Sequence, residues 1–304
     1  MKRFQLISFL SICVACMVSG CSEPFAGKRE SAISGSIRIS VDESFRPVID
    51  SQVQVFESLH PDAHITVHYK SEADCLKDLA NDSIRMVIVT RGLTDKEQDL
   101  MSKKLNFPPG YGPIAFDAVA VITNNQSKDT AFTMQDIRSL AQGTSGYKYK
   151  LLLDGTSATS TVRFVTDSLL KGQPISKNIF AAKNSEAVID YISANTDAVG
   201  LIGVSWVGNK NDPKVVSFLD RVKIAAVECR DCNGTYVKPY QANIAGGRYP
   251  MVRTLYYILK ENYDGLGSGF SNFLIYEKGQ LIFQRAYLLP ARMKFDVRDI
   301  NLSE

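Results

Sequence analysis

The sequence has little excess charge of either sign, few histidines and a single tryptophan. Its 304 residues include 35 basic and 32 acidic residues, three histidines and one tryptophan. A nucleic-acid-binding surface usually requires a clear basic excess, so we expect no nucleic-acid partner. Any anion site must be local, because the field of the whole chain is weak. The lone Trp206 also disfavours an aromatic platform for carbohydrate.

Motifs for catalysis are missing as well. The chain has no G-x-S-x-G, H-E-x-x-H or phosphate-loop motif. Asp154 precedes a Ser/Thr-rich stretch that could suggest phosphate-ester hydrolysis, but no set of metal ligands accompanies it. His60, His64 and His68 could bind a metal, although unrelated histidines on a half-exposed strand explain them better. We therefore expect a protein that is not an enzyme and that uses no metal or cofactor.

Long hydrophobic runs are absent except near the N-terminus. Residues 4–18 are mostly apolar and follow the basic pair Lys2 and Arg3. This run of about 15 residues is shorter than the roughly 20 that cross a bilayer, and its layout is that of a secretory signal. Small residues before Cys21 resemble a bacterial lipobox, with an ordinary signal and an incidental cysteine as the alternative. We predict that residues 1–20 are removed and that the exported protein is held on the cell envelope, facing the periplasm, by lipid on Cys21 alone.

Three cysteines remain beyond Cys21, at Cys75, Cys229 and Cys232. The last two lie between an apolar run and an Asn-Gly turn signal, which favours a disulfide across a hairpin in an exported protein. A redox centre would require this pair at the start of a helix in a thioredoxin-like unit. A zinc site would require four ligands, of which one such pair supplies only half. We expect Cys75 to be buried.

The rest of the chain alternates between strand patterns and helix patterns. Residues 21–35 are rich in Ser, Gly, Lys and Glu and indicate a flexible tether. Apolar periodicity predicts the other elements. The predicted strands are 36–41, 64–69, 84–89, 116–123, 151–153 and 198–202. The predicted helices are 44–59, 72–80, 132–141, 161–170, 187–193, 251–262 and 268–285. Such an order indicates an α/β fold with a parallel sheet covered by helices.

Short motifs spread over the chain resemble those of the periplasmic phosphate-binding proteins. Each motif is weak alone, but their shared order extends over most of the chain. The motifs are FESLHP at 56–61, VTRGLTDKE at 89–97, FDAVAVI at 116–122, NTDAVG at 195–200, YPMVR at 249–253, GQ at 279–280 and LLP at 288–290. The resemblance implies a two-lobed type II binding-protein fold with the ligand in the cleft. Lobe one would hold residues 36–120 and 236–304, and lobe two would hold residues 121–235, with two crossover strands between them.

Two segments fit the chemistry of an oxyanion site. Such a site needs fixed donors, which backbone N–H groups at helix N-termini and Ser or Thr hydroxyls supply. By the resemblance, Ser44 and Phe45 open the first helix and donate to the anion, although Ser44 could be a plain helix cap. Thr159, Ser160 and Thr161 resemble the family's phosphate-wrapping loop, with a Ser/Thr-rich turn as the alternative.

A third segment, Thr90 and Arg91, follows a predicted buried strand, with an ordinary surface loop as the alternative. The family's usual Arg is replaced by Gly155 in this chain. Arg163 or Arg91 could supply the missing guanidinium fork.

The family also uses an Asp to accept the proton of hydrogen phosphate, and Thr90 stands at that position. Glu72, beside Ser71 at the start of the second helix, is a candidate substitute acceptor. The alternative is the ordinary benefit of an acid in a first helical turn. The resemblance thus implies capture of phosphate or a similar tetrahedral oxyanion and delivery to an ABC permease. A lipoprotein scaffold or sensor that kept the fold and lost the ligand remains the alternative.

Overall fold

A computed structural model describes residues 30–146, 149–155, 159–177, 179–209, 213–232 and 234–292. The strands, numbered in chain order, are β1 Gly35–Asp42, β2 Ala63–Lys70, β3 Met86–Val89, β4 Gly110–Asn124, β5 Ala131–Phe132, β6 Lys150–Asp154, β7 Phe180–Ala182, β8 Ala198–Gly203, β9 Val222–Ile224, β10 Ala226–Glu228, β11 Tyr236–Val237, β12 Val252–Leu259 and β13 Leu289–Pro290. The predicted signal segment, Cys21 and the stretch 156–158 lie outside the described residues.

Helices alternate with these strands along the described chain. They are α1 Arg46–Leu59, α2 Glu72–Lys77, α3 Asp95–Leu105, α4 Met134–Gln142, α5 Ser160–Arg163, α6 Ser185–Ala194, α7 Pro213–Leu219, α8 Gln241–Ala245, α9 Leu266–Ile275 and α10 Glu277–Arg285. Short 3₁₀ turns lie at Glu43–Phe45, Asp78–Ala80 and Val204–Trp206, and a π-helical turn, Phe164–Leu169, continues α5. In this part of the chain, no helix has both the length and the apolar character of a membrane span.

One mixed sheet joins the molecule, in the order β2-β1-β3-β12-β4-β8-β6-β7. The long strand β4 pairs with β12 near its start and with β8 near its end, so it belongs to both halves. We call β1, β2, β3 and β12 with their helices the first half, and β6, β7 and β8 with theirs the second half. The predicted α/β class with helices flanking a central sheet is confirmed.

Local sequence explains most of these elements. Strands β1 and β3 form because their β-branched residues pack between helices, which leaves β3 buried along its whole length. Helix α1 buries Val48, Ile49, Val53 and Phe56 on one face, as the helical spacing of apolar residues predicts. Helix α3 begins with a capping box in which Thr94 and Glu97 satisfy each other's backbone N–H groups.

The helix predicted over residues 251–262 is wrong, because this segment is the strand β12. Leu255, Ile258 and Leu259 have helix-like spacing, but the segment is rich in residues that favour strands and lies between two partners. It pairs antiparallel with β3 on one side and with β4 on the other. The long helix predicted over 268–285 is likewise two helices, since the backbone of Tyr276 is extended between them.

Two further findings bear on the predicted tether and on the cysteines. Glu30, within the predicted tether, contacts the fold through an ion pair with Arg85 at 3.1 Å. Cys229 and Cys232 form a disulfide, which closes the loop between the antiparallel strands β10 and β11. Cys75 is a free thiol and is fully buried.

Candidate functional site

The sheet brings the ends of two strands together at the junction of the two halves. Strand β1 ends at Asp42 in the first half, and β6 ends at Asp154 in the second. Ser44, in the turn that leads from β1 into α1, donates its hydroxyl to the Asp154 carboxylate at 2.9 Å. All three side chains are fully buried. Carboxyl ends of strands in α/β sheets are where ligands usually bind.

The Asp42 carboxylate lies between the Ser44 and Ser160 N–H groups, where the sequence analysis expected a bound anion. One carboxylate oxygen accepts the Ser44 N–H at 2.8 Å, and the other accepts the Ser160 N–H at 2.9 Å. The donors are therefore a turn at the start of the first half and the N-terminus of α5 in the second. Burial, reinforced by the negative charge of Glu72, raises the pKa of Asp42 to about 6, although Arg253 acts in the opposite direction.

The segment 159–161 contributes hydroxyls as well as the Ser160 amide. Thr159 caps α5 and donates its hydroxyl to the Asp154 backbone carbonyl at 2.9 Å. Arg253 Nη1 donates to the hydroxyl oxygens of Ser160 and Thr161, at 2.8 and 3.1 Å. These three side chains are buried, so their hydrogen bonds lie away from bulk water.

Arg253 on β12 brings a buried guanidinium to the 159–161 segment, and the sequence analysis did not assign it to the site. Its Nε donates to Asp117 at 2.7 Å, and its guanidinium carbon lies 4.9 Å from the centre of the Phe45 ring. Phe45 itself is fully buried. Burial lowers the pKa of Arg253, but the charge of Asp117 and neighbouring acids outweighs it and leaves the pKa raised. The signal that could have found Arg253 is its motif at 249–253.

We call the buried cluster of Asp42, Ser44, Asp154, Ser160 and Arg253 the centre. Glu72 joins the two halves a short way from it. Its carboxylate accepts the Thr90 N–H and the Thr90 hydroxyl at 2.7 Å each, and it accepts Arg163 Nε at 2.5 Å. Arg163 also donates to the Thr90 hydroxyl at 2.7 Å. Burial raises the pKa of Glu72, but the hydrogen bond and charge of Arg163 outweigh it and leave the pKa lowered. Glu72 is thus an ionised acceptor between Thr90 and Arg163.

Ser71 and Arg91, which the sequence analysis proposed for the site, form hydrogen bonds within their own segments instead. Ser71 caps α2 and donates its hydroxyl to Asp74 at 2.8 Å, so the structure does not join it to the buried network. Arg91 forms two hydrogen bonds of 2.8 Å with Glu97.

The centre carries more acids than bases. Asp42, Glu43, Asp117 and Asp154 lie around it, and Arg253 is the one buried base among the residues that the structure describes. Burial, with the charge of Asp154, raises the pKa of Glu43 to about 7. Burial also raises the pKa of Asp117, although its pairing with Arg253 opposes the shift. The described residues contain no group of three or more His, Cys, Asp or Glu that could hold a metal ion. Most N–H and O–H donors of the centre are therefore already bound by carboxylates of the same chain.

Trp206 packs directly against the centre. It is 2% exposed, and its indole Nε1 donates to the Ser44 backbone carbonyl at 2.9 Å. The ring belongs to the turn that follows β8 in the second half, whereas Ser44 belongs to the first. Its fluorescence should therefore report any change in how the two halves meet.

Comparisons with known proteins point to one family. Residues 26–278 match the family model of a PBP superfamily domain. The PstS phosphate-binding protein of Pseudomonas aeruginosa is 21% identical over 293 residues, covering 88% of this chain and 87% of that protein. The PstS of Staphylococcus aureus strain USA300 is 19% identical and covers 95% of this chain and 88% of that protein.

Solved structures agree on the fold. A putative phosphate ABC transporter substrate-binding protein with bound phosphate, from Clostridium perfringens, has a TM-score of 0.70 at 19% identity and covers 85% of this chain and all of that one. The chain therefore belongs to the PBP superfamily and is a distant homologue of the PstS phosphate-binding proteins.

Proposed function

We propose that this protein captures a phosphate-type oxyanion between its two halves, outside the cytoplasm, and delivers it to an ABC import permease. The observation that supports the proposal is that donors from both halves converge on carboxylate oxygens. The Ser44 and Ser160 N–H groups hold Asp42, and Thr90 and Arg163 hold Glu72. Groups arranged in this way can also hold the oxygens of a tetrahedral anion.

In this proposal, the described arrangement is a closed form whose donors are occupied by the chain's own acids. Opening of the halves would break the bonds from Asp42 to Ser160 and from Glu72 to Arg163. An entering oxyanion would then take over the α5 N-terminus and the hydroxyls of Ser160 and Thr161, and closure would bury it. Its desolvation requires nearly every oxygen to gain a donor. Lipid on Cys21 would hold the protein near its permease.

A second candidate function is a scaffold or sensor that has lost the ligand. The observation in its favour is that Asp42 lies at the end of β1, where its backbone is fixed by the sheet. An anion at the α5 N-terminus would meet Asp42 and Asp154 together, and like charges at such distances repel strongly when buried. In this case closure would need no ligand.

The test is a phosphate titration of purified, phosphate-free protein, followed by heat and by Trp206 fluorescence. We expect saturable heat, a parallel fluorescence change, and persistence of both in excess sulfate. The variant Thr161→Ala should weaken binding, whereas Thr66→Ala, on the distant edge strand β2, should not. Absence of heat and of fluorescence change with either anion would leave the scaffold as the function.

A further inference from the structure

Five arginines line one side of the junction between the two halves, and three of them, Arg91, Arg163 and Arg253, are paired with carboxylates. One cavity of about 310 Å³ is lined by Thr90, Arg91, Arg163 and Arg253, among others. A second cavity of about 500 Å³ is lined by Arg138 and Arg230 together with the acid Glu228. Phe164, Ser168 and Val252 line both cavities. We call the two cavities together the arginine groove.

Among the described residues, the two arginines of the larger cavity have no carboxylate partner. Arg138 Nε donates to the Leu169 carbonyl at 3.1 Å, and Arg138 Nη1 donates to the side chain of Gln135 at 3.0 Å. Arg230 Nη2 donates to the Pro250 carbonyl at 3.1 Å. Among the described residues, neither guanidinium forms an ion pair. These bonds orient both side chains and leave further N–H groups and their charge for a ligand.

The smaller cavity reaches the network described above. Thr90 and Arg163, which bind Glu72, form part of its wall. Arg163 Nη1 lies 3.8 Å from Asp167 and makes no hydrogen bond to a described residue, whereas Nε and Nη2 bind Glu72. An acidic group placed here would share the Arg163 guanidinium with Glu72, without displacing Asp42. This end of the groove therefore suits the head of an anionic ligand.

The groove is larger than a free phosphate ion needs. Each cavity falls within or near the roughly 300–1,000 Å³ of small-molecule sites, whereas a water molecule takes about 30 Å³ and a phosphate ion only a few times that volume. Half-buried apolar side chains lie between the two ends, with Val252 in both cavities, Met134 in the larger and Tyr256 in the smaller. Such a wall packs against the body of an organic molecule.

We infer that the ligand is an organic anion with acidic groups at both ends, such as a bisphosphorylated sugar. One acidic group lies at Thr90 and Arg163, the body lies along Val252, and the second group lies at Arg138 and Arg230. This inference rests on the proposed function in placing the ligand between the two halves, but it uses Thr90 and Arg163 in place of the α5 N-terminus. It changes the substrate class from inorganic phosphate to an organic phosphate.

Titration with four probes at constant ionic strength tests the inference: fructose 1,6-bisphosphate, fructose 6-phosphate, inorganic phosphate and fructose. We expect the bisphosphate to bind at least about ten-fold more tightly than inorganic phosphate, and the monophosphate to lie between them. The double variant Arg138→Gln/Arg230→Gln should remove the advantage of the bisphosphate over the monophosphate. The control Arg38→Gln/Arg285→Gln changes the net charge equally at exposed positions outside the groove and should leave that advantage intact.

The outcomes separate this inference from the proposed function. Equal affinity for phosphate and both sugar phosphates would overturn the inference and leave capture of inorganic phosphate standing. Binding of the bisphosphate without binding of inorganic phosphate would support the inference and replace the proposed ligand. Loss of the advantage in both double variants would show a non-specific charge effect and overturn the inference. Failure of all four probes would overturn both ideas.

Discussion

Asp42 is the residue on which the interpretation of the centre depends. Its carboxylate binds the two backbone N–H groups that a phosphate-type anion would need, one from each half of the molecule. A buried carboxylate with two amide donors is well satisfied, so an incoming anion must compete with it. Affinity for any anion at the α5 N-terminus is therefore set by how readily Asp42 gives up these bonds.

The variant Asp42→Ala tests this competition. Removing the carboxylate leaves the Ser44 and Ser160 N–H groups without their acceptor and removes a buried negative charge, so phosphate affinity should rise by at least about ten-fold. The shift of the unfolding temperature with phosphate, compared with Asp42→Asn, measures the effect. Asp42→Asn removes the charge but keeps the bulk, and it should gain less. Unchanged phosphate affinity in Asp42→Ala would show that the anion does not use these two amides.

The buried carboxyl of Glu43 should make the stability of the protein depend on pH. Burial raises the pKa of Glu43 from an ordinary 4.5 to about 7, so the folded protein binds this proton more tightly than the unfolded chain does. The resulting contribution to the free energy of unfolding is fully present below pH 4.5 and is lost as the pH rises through 7. Glu43→Gln should remove this loss and stabilise the protein at pH 8 by on the order of 1–3 kcal/mol, with little effect at pH 4.5. Thermal unfolding at pH 4.5, 6 and 8 measures it, with the more exposed Glu186→Gln as control. A stability difference independent of pH would contradict the prediction.

At the scale of elements, strand β12 positions Arg253, the buried base of the centre. The strand lies between β3 and β4, and its register puts Arg253 opposite Asp117 on β4. The ion pair between them is almost fully buried, with side chains 4% and 0% exposed. Removing one partner of such a pair leaves an uncompensated buried charge, whereas removing both does not.

Arg253→Met should therefore destabilise the protein by about 3–5 kcal/mol, because Asp117 loses its partner while it stays buried. The double variant Arg253→Met/Asp117→Asn should recover a large part of this loss. Chemical unfolding of the wild type, both single variants and the double variant measures the coupling. Additive effects of the two substitutions would mean that the pair contributes no mutual stabilisation.

At the scale of the whole molecule, three hydrogen bonds or ion pairs link the halves, and in the proposed function they hold the junction closed. Ser44 with Asp154, Asp42 with Ser160, and Glu72 with Arg163 each join one half to the other. The two halves also share β4, which stays continuous whether these bonds form or break. Opening can therefore proceed by bending near β4 without loss of either sheet segment.

Glu72→Gln should shift the molecule towards the open form. Glutamine keeps an acceptor for Thr90 but removes the charge that faces Arg163. We expect a larger radius of gyration by X-ray scattering, and amide hydrogen exchange at Ser44 and Ser160 faster by about ten-fold. Glu97→Gln weakens the pair with Arg91, which lies within the first half, and serves as the control. Equal scattering and exchange in Glu72→Gln and the wild type would show that this pair does not hold the junction closed.

The sequence predicted the elements better than the partners of each side chain. Periodicity located α1 and β1 because burial of one face follows directly from residue spacing. It failed for β12, since only the neighbours β3 and β4 decide that this apolar segment is a strand. Asp42 carries no local signal either, because its partner Ser160 lies far along the chain.

The sequence by itself determined most of the alternation of strands and helices and the family to which the chain belongs, but it misassigned β12 and merged α9 with α10. The alternation and the family depend on local spacing, on turn chemistry and on motifs that keep their order along the chain. Only the tertiary structure decided that Asp42 accepts the α5 amide, that Arg253 pairs with Asp117 beside Ser160, and that Arg138 and Arg230 line one cavity. The physical reason is that hydrogen bonds and ion pairs between distant segments depend on distance in space, which spacing along the chain does not encode.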